Sequence, residues 1–145
     1  MKDSIAGIDY RFADPRLLEE ALTHRSIGAG NNERLEFLGD SVLGMVVSSR
    51  LFERFPDAPE GDLTRMRARL VRGSTLARLG KELNLGREIM MDPGVMKSAG
   101  FRNASILADA VESLIGAIYL DGGYAAVRAV VLEKFEPLIE DLPSI

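Results

Sequence analysis

The chain contains no cysteine and a single histidine, His24. Zinc or copper sites built from thiolate and imidazole are thereby nearly excluded, and any metal would be held by oxygen ligands. Lack of cysteine also fits a reducing compartment. No stretch approaches the roughly 20 uninterrupted apolar residues of a membrane span, and the N-terminal MKDSIAGIDYRF has no secretory apolar region. The expectation is a cytoplasmic protein with no membrane partner. Strand-like alternation, repeats, low-complexity runs and an interdomain linker are missing too, which leaves an all-α single domain. No Ser-His-Asp arrangement or nucleophile elbow surrounds His24, which reads as a capping or core histidine. Asp92 to Ser98 ends in Lys-Ser with no glycine before the lysine, so it is not a phosphate-binding P-loop.

What is present is a chain of 145 residues with 46% hydrophobic content, long enough to bury a real core. Its net charge of −4 argues, taken alone, against a nucleic-acid partner. The distribution of charge carries more information than the sum.

The most informative stretch is ERLEFLGDSVL, from Glu33 to Leu43. On a helix, Glu33, Glu36 and Asp40 follow steps of three and four and fall within roughly 60° of one another. Stacked like charges repel, and more strongly where burial lowers the dielectric. Leu35, Leu38, Val42, Met45 and Val46 form an apolar face opposite the acids, while Phe37, Leu43, Val47 and Leu51 lie beside or among them. A helix this apolar is expected to be covered on both sides. Acids in such a place need a cation or must take up protons. An all-oxygen cluster points to Mg²⁺ or Mn²⁺. The plain alternative is a solvated helix face.

Asp14-Pro15 reads as an N-cap and first helical position, opening a helix toward His24. Ser26 to Asn32 reads as a loop, and the central helix runs from about Glu33 to Arg54, stopped by Pro56. Gly39 and Gly44 within it suggest close approach of another backbone. Glu60 stands in a turn ahead of a helix from Asp62 to about Val71, where Arg65, Arg69 and Arg72 make a basic stripe, suited either to phosphate or to surface pairing. Ser74 reads as the N-cap of the next helix. Met90 to Asn103, carrying Lys97 and Arg102, reads as a long irregular and functional loop. From Ser105 to Asp121 a second key helix places Asp109 and Glu112 on one side with Ser105 and Gly116, small residues that would let the two acidic stripes meet. Gly122-Gly123 ends it, and a last amphipathic helix runs from about Tyr124 to Ile139.

ERLEFLGDS, then Glu60-Gly61-Asp62 with Arg65-Met66-Arg67-Ala68, Lys97-Ser98, and Ser105-Ile106-Leu107-Ala108-Asp109 with Glu112, together resemble the signature motifs of bacterial ribonuclease III in their proper order. The resemblance covers nearly the whole chain. It implies an endonuclease domain spanning 1–145 without the double-stranded RNA-binding domain into which most bacterial relatives continue, so that the chain is either a catalytic fragment, the favoured reading, or a naturally short protein. It implies a homodimer that hydrolyses double-stranded RNA with Mg²⁺ (Mn²⁺ as substitute), giving 5′-phosphate and 3′-hydroxyl ends with short 3′ overhangs, in ribosomal RNA maturation and messenger RNA processing.

By position, the resemblance makes Glu36, Asp40, Asp109 and Glu112 the metal-site acids, with Asp40 and Glu112 as the catalytic pair. Glu33 and Glu60 would be supporting acids, and Phe37 the aromatic that enters a pocket on the other subunit. Arg65, Arg69, Arg72, Lys97 and Arg102 are the candidate RNA contacts. Departures from the family pattern, Gly94-Val95-Met96 before Lys97-Ser98, Ser98-Ala99-Gly100, and Asn103-Ala104, fall in the loop and not on the acids. The alternative function is a noncatalytic RNA-binding or ribosome-assembly module that retains the fold.

Overall fold

A computed structural model describes residues 1–143; the last two residues of the expected 1–145 domain lie outside the described residues. Among the described residues six α-helices carry the fold, α1 (Pro15–Ala21), α2 (Glu33–Arg54), α3 (Glu60–Val71), α4 (Gly73–Glu82), α5 (Pro93–Lys97) and α6 (Ala104–Glu140), with short 3-10 turns between α1 and α2, α4 and α5, and α5 and α6. Among the described residues there is no strand, only an isolated bridge between Thr23 and Met90. The all-α expectation holds.

The first part of α6 is the axis of the core. Leu107, Ala110, Val111, Leu114, Ala117 and Ile118 are buried at the three- and four-residue spacing of a packed helix. Helices α1, α2 and α4 all pack against α6. An 18-residue window of α6 has a mean hydropathy of 1.4, enough by length and composition to cross a membrane. Here that apolarity is directed into the core. Gly123 sits at φ 86°, ψ 179°, outside helical space, and breaks α6 into two segments where Gly122-Gly123 was expected to end it. In the second segment Val127, Val130, Val131, Phe135 and Ile139 face inward.

Capping explains several helix starts. Asp14 accepts the Arg16 N–H ahead of Pro15, as its sequence suggests. The same Asp-Pro pair recurs at Asp92-Pro93, where Asp92 accepts the Gly94 N–H and starts α5. The stretch 90–103 is therefore not irregular throughout, since it holds α5 and a 3-10 turn at Gly100–Arg102. Asn103 caps α6 through the Ile106 N–H, so that helix begins at Ala104. Ser74 is not a cap: α4 starts at Gly73, with Arg72 as an extended cap residue making no side-chain bond. Glu60 is the first residue of α3 and not part of a preceding turn.

Helix α2 departs from its expected orientation. Leu35, Gly39, Val42, Leu43, Val46, Val47 and Leu51 are its buried residues, and on a helical projection the three acids fall at the edge of this same arc. The acidic side leans toward α6. Met45, expected to face the core, is 60% exposed, and Phe37 and Phe52 are 79% and 73% exposed. These three lie within roughly 80° of one another on the helix. One side of α2 is thus covered within the chain and the other presents apolar side chains. Gly44 has open space around it, so the close approach expected there occurs only at Gly39.

Candidate metal centre

Two glycines set the distance between the acid-bearing helices. A Cβ built on Gly39 would lie 1.7 Å from the backbone oxygen of Glu112, and one on Gly116 would lie 2.4 Å from the backbone oxygen of Leu35. Backbones this close leave no room for a side chain, so α2 and α6 touch where their acids project. Ser113, fully buried next to Glu112, places its hydroxyl 2.8 Å from the Asp109 carbonyl and 3.2 Å from that of Asn32. Buried Asn32 donates its side-chain N–H to Ala21 O and its backbone N–H to Thr23 O. The start of α2, the end of α1 and the acidic turn of α6 are thereby tied together.

The result is a carboxylate cluster. Glu36, Asp109 and Glu112 each offer an oxygen, all within 4.8 Å of one another. Asp40 completes it through a hydrogen bond with Glu112, and Glu36 hydrogen-bonds Asp109. Burial, then the hydrogen bond and charge of Asp40, push the Glu112 carboxyl up to about 8. Burial and the Asp109 charge push Glu36 up to about 7, with only the nearby Arg25 opposing. A carboxyl-carboxyl hydrogen bond needs a proton, and burial among like charges favours holding one. The raised values favour the protonated forms of Glu112, beside Asp40, and of Glu36, beside Asp109. Without metal the cluster tolerates its own crowding by holding protons. A divalent cation could replace them, and an all-carboxylate donor set suits a hard ion.

The other expected site residues are placed variously. Glu33 is exposed one turn before Glu36, and its charge is felt there. It lines a groove of about 990 Å³ with Phe37, Leu35, Leu38, Arg34 and Leu120. Glu60 accepts the Thr64 hydroxyl at 2.9 Å and is not part of the acidic cluster. Arg65 pairs with Asp62. Arg65, Arg69 and Arg72 line one groove beside Met66 and Leu142, although Arg72 already lies past the end of α3. Lys97 and Arg102 stand apart from that stripe, at the end of α5 and in the following 3-10 turn, where Arg102 lies 5.0 Å over the Phe101 ring. His24 is a cap, as expected: its Nδ1 accepts the Ser26 N–H at 3.1 Å.

Asn32, Ser113 and Arg25 were not singled out in the sequence. A small polar residue on the apolar face of α6 is the signal that could have marked Ser113. The charge of Arg25 is felt at Glu36 from another segment, which helical spacing cannot reveal.

A family model described as ribonuclease-III-like matches residues 14–138. The chain is 56% identical over 135 residues to ribonuclease 3 of Dechloromonas aromatica, covering 93% of this chain and 61% of that protein. Against ribonuclease 3 of Vibrio cholerae it is 53% identical over 142 residues, covering 98% and 63%. The chain thus spans about three fifths of the length of these curated relatives. Among solved structures, the nuclease domain of ribonuclease III from Campylobacter jejuni, described for flexibility in a region involved in dimer formation, superposes with a TM-score of 0.86 at 44% identity, covering 88% of this chain and 90% of that one.

Proposed function

The chain belongs to the ribonuclease-III-like family, and from that premise we propose that it is the endonuclease domain of a double-stranded-RNA-specific endoribonuclease. The observation that carries this reading is the convergence of Glu36, Asp109 and Glu112 within 4.8 Å, with Asp40 bonded to Glu112, on two helices far apart in sequence. Glu36, Asp40, Asp109 and Glu112 would hold Mg²⁺, or Mn²⁺ in its place. Such an ion, once bound, lowers the pKa of an attacking water and neutralises charge on the phosphate. The chain's own part is to present Asp40 and Glu112 as the paired catalytic acids, with Glu112 and Glu36, whose protonated forms burial favours, giving up any proton they hold as the ion binds. Products would be 5′-phosphate and 3′-hydroxyl ends with short 3′ overhangs.

The substrate is duplex RNA, recognised by shape, 2′-hydroxyls and phosphates. Arg65, Arg69, Arg72, Lys97 and Arg102 are offered as phosphate contacts, with Glu33 and Glu60 as supporting acids. Cellular roles in ribosomal RNA maturation and messenger RNA processing in the cytoplasm follow from the same reading.

A homodimer completes it. The open stripe of Phe37, Met45 and Phe52, beside a groove with Leu35, Leu38 and Leu120 in its walls, supports a second copy packing there with Phe37 seated in the partner's groove.

The decisive experiment incubates long duplex RNA with the chain, with and without Mg²⁺. Cleavage that needs the ion and disappears in Glu112→Gln is expected. Binding without cleavage at any enzyme concentration would instead favour the noncatalytic module.

A further inference from the structure

His24 is the only histidine in the chain, and its ring is immobilised from one side. Nδ1 accepts the Ser26 backbone N–H at 3.1 Å and lies 2.8 Å from the Ser26 hydroxyl. That hydroxyl in turn accepts the Asp92 N–H at 2.8 Å, and the His24 backbone N–H donates to Met90 O at 2.8 Å. A backbone N–H can only donate, so Nδ1 carries no proton and the neutral ring is the Nε2–H tautomer. The half-buried ring sits in the field of Asp109 and Glu33, with Arg25 as the nearby cation. Asp109 belongs to the acidic cluster. No hydrogen bond joins Nε2 to another described residue, so a ring held from its Nδ1 side keeps an N–H without a described partner in the field of Asp109 and Glu33.

We propose that His24 is a substrate-contacting residue of this site, its Nε2–H donating to a phosphate oxygen of the RNA strand lying along the acids; this rests on the nuclease reading above. The chemistry at the rim favours that partner. Four carboxylates repel a phosphodiester, and donors beside them are what a polyanionic strand requires. Arg25 is the cation felt at Glu36, and His24 is the neutral donor next to it in sequence. Ser26 and Asp92 belong to different segments, and their hydrogen bonds hold the ring so that no rotamer freedom is lost when the strand arrives.

Two substitutions separate contact from cap. His24→Asn keeps an oxygen able to accept the Ser26 N–H but loses the outer donor, whereas His24→Gln can place an amide N–H near the Nε2 position. Binding of a short duplex RNA to the full chain is measured in Ca²⁺, an oxygen-seeking ion, alongside KM and kcat in Mg²⁺ and the melting temperature. His24→Asn is expected to weaken binding and raise KM about tenfold, the scale of one hydrogen bond to a charged acceptor, with melting unchanged and His24→Gln recovering most of the loss. Unchanged binding in His24→Asn overturns the proposal. So does an equal loss of binding in both variants, or a fall in the melting temperature of His24→Asn, which keeps the Ser26 acceptor; either marks a purely structural histidine. Failure of the nuclease reading looks different, since the unsubstituted chain would then bind duplex RNA without cutting it.

Discussion

Gly39 and Gly116 meet where α2 crosses α6: a Cβ on Gly116 would sit 3.1 Å from the Gly39 nitrogen, and one on Gly39 only 1.7 Å from the Glu112 carbonyl oxygen. Alanine normally gains about 1 kcal/mol over glycine inside a helix. At Gly39 the overlap is with backbone, so the helices must separate, and overpacking of this kind costs about 1–3 kcal/mol or more. Gly39→Ala is therefore expected to lower the melting temperature and, by moving Glu36 away from Asp109 and Glu112, to weaken Mn²⁺ binding. Gly44→Ala, with open space around the new methyl, is expected to leave stability unchanged or raise it. Thermal melts and a metal titration of the two variants check the contrast. Equal behaviour would remove the helix contact as the feature that sets the site.

The protonated carboxyls make stability depend on pH. Glu112 is pushed up to about 8 and Glu36 up to about 7, against an ordinary value of 4.5. A carboxyl raised on folding binds more protons in the native state, so its contribution is full below the unfolded value and is lost as pH rises through the folded one. In a chelator, the melting temperature is expected to fall between about pH 5 and 9. Saturating Mg²⁺ should flatten that slope and raise the curve most at the alkaline end. Glu112→Gln, neutral at every pH, should melt with a shallower slope in chelator while losing cleavage by about 10²-fold or more. An unchanged slope in that variant would mean that the proton sits elsewhere.

Much of this arrangement was legible in the chain because helical periodicity is local. Glu36 and Asp40 on one stripe, Asp109 and Glu112 on another, and the glycine break near Gly123 follow from spacing and backbone chemistry alone. What spacing could not supply was which side of α2 faces inward. Met45 and Phe37 are as apolar as Val42 and Leu43, and only the contact at Gly39 turns the acidic edge toward α6 and leaves Phe37 and Met45 outside. Ser74 was misread because a good cap residue one position inside a helix looks the same as one at its end. The Asp92-Pro93 start of α5 carried the same signal as Asp14-Pro15 but lay among residues that suggested a loop. His24 as a cap was readable; its link to Asp92 was not, since that runs between segments 66 residues apart.

Phe37 gives the dimer a test of its own. With 79% of it exposed, the ring contributes little to packing within one chain, so Phe37→Ala is expected to leave the melting temperature of the monomer unchanged. If the ring fills a groove on a second copy, losing it should raise the dimer dissociation constant about 30-fold, as for an aromatic anchor contributing about 2 kcal/mol. Sedimentation across a concentration series measures this. A variant that dimerises as well as the parent places the contact elsewhere on the apolar stripe.

Asp121 anchors the N-terminal arm onto α6, accepting from the Tyr10 hydroxyl at 2.5 Å and from the backbone N–H groups of Ala13 and Asp14 at 2.8 Å each. Tyr10 packs edge-on against Phe12 with centroids 5.1 Å apart, and Phe12 and Ile5 are buried beneath the arm. Asp14 is itself the cap of α1, so Asp121 secures the helix that leads to His24 and Asn32. Burial raises the Asp121 carboxyl, but the three hydrogen bonds outweigh it and hold the group below its ordinary value. A depressed carboxylate stabilises the fold above its unfolded pKa, and that contribution is lost as pH falls through the folded one. Asp121→Ala leaves those donors without their acceptor and is expected to cost about 2–4 kcal/mol, with faster hydrogen exchange at the Ala13 and Asp14 amides and a weaker acid-induced loss of stability. Asp121→Asn, which can still accept through its carbonyl oxygen, should fall between the two. Exchange at those amides as slow as in the parent would show that buried Ile5 and Phe12 hold the arm by themselves.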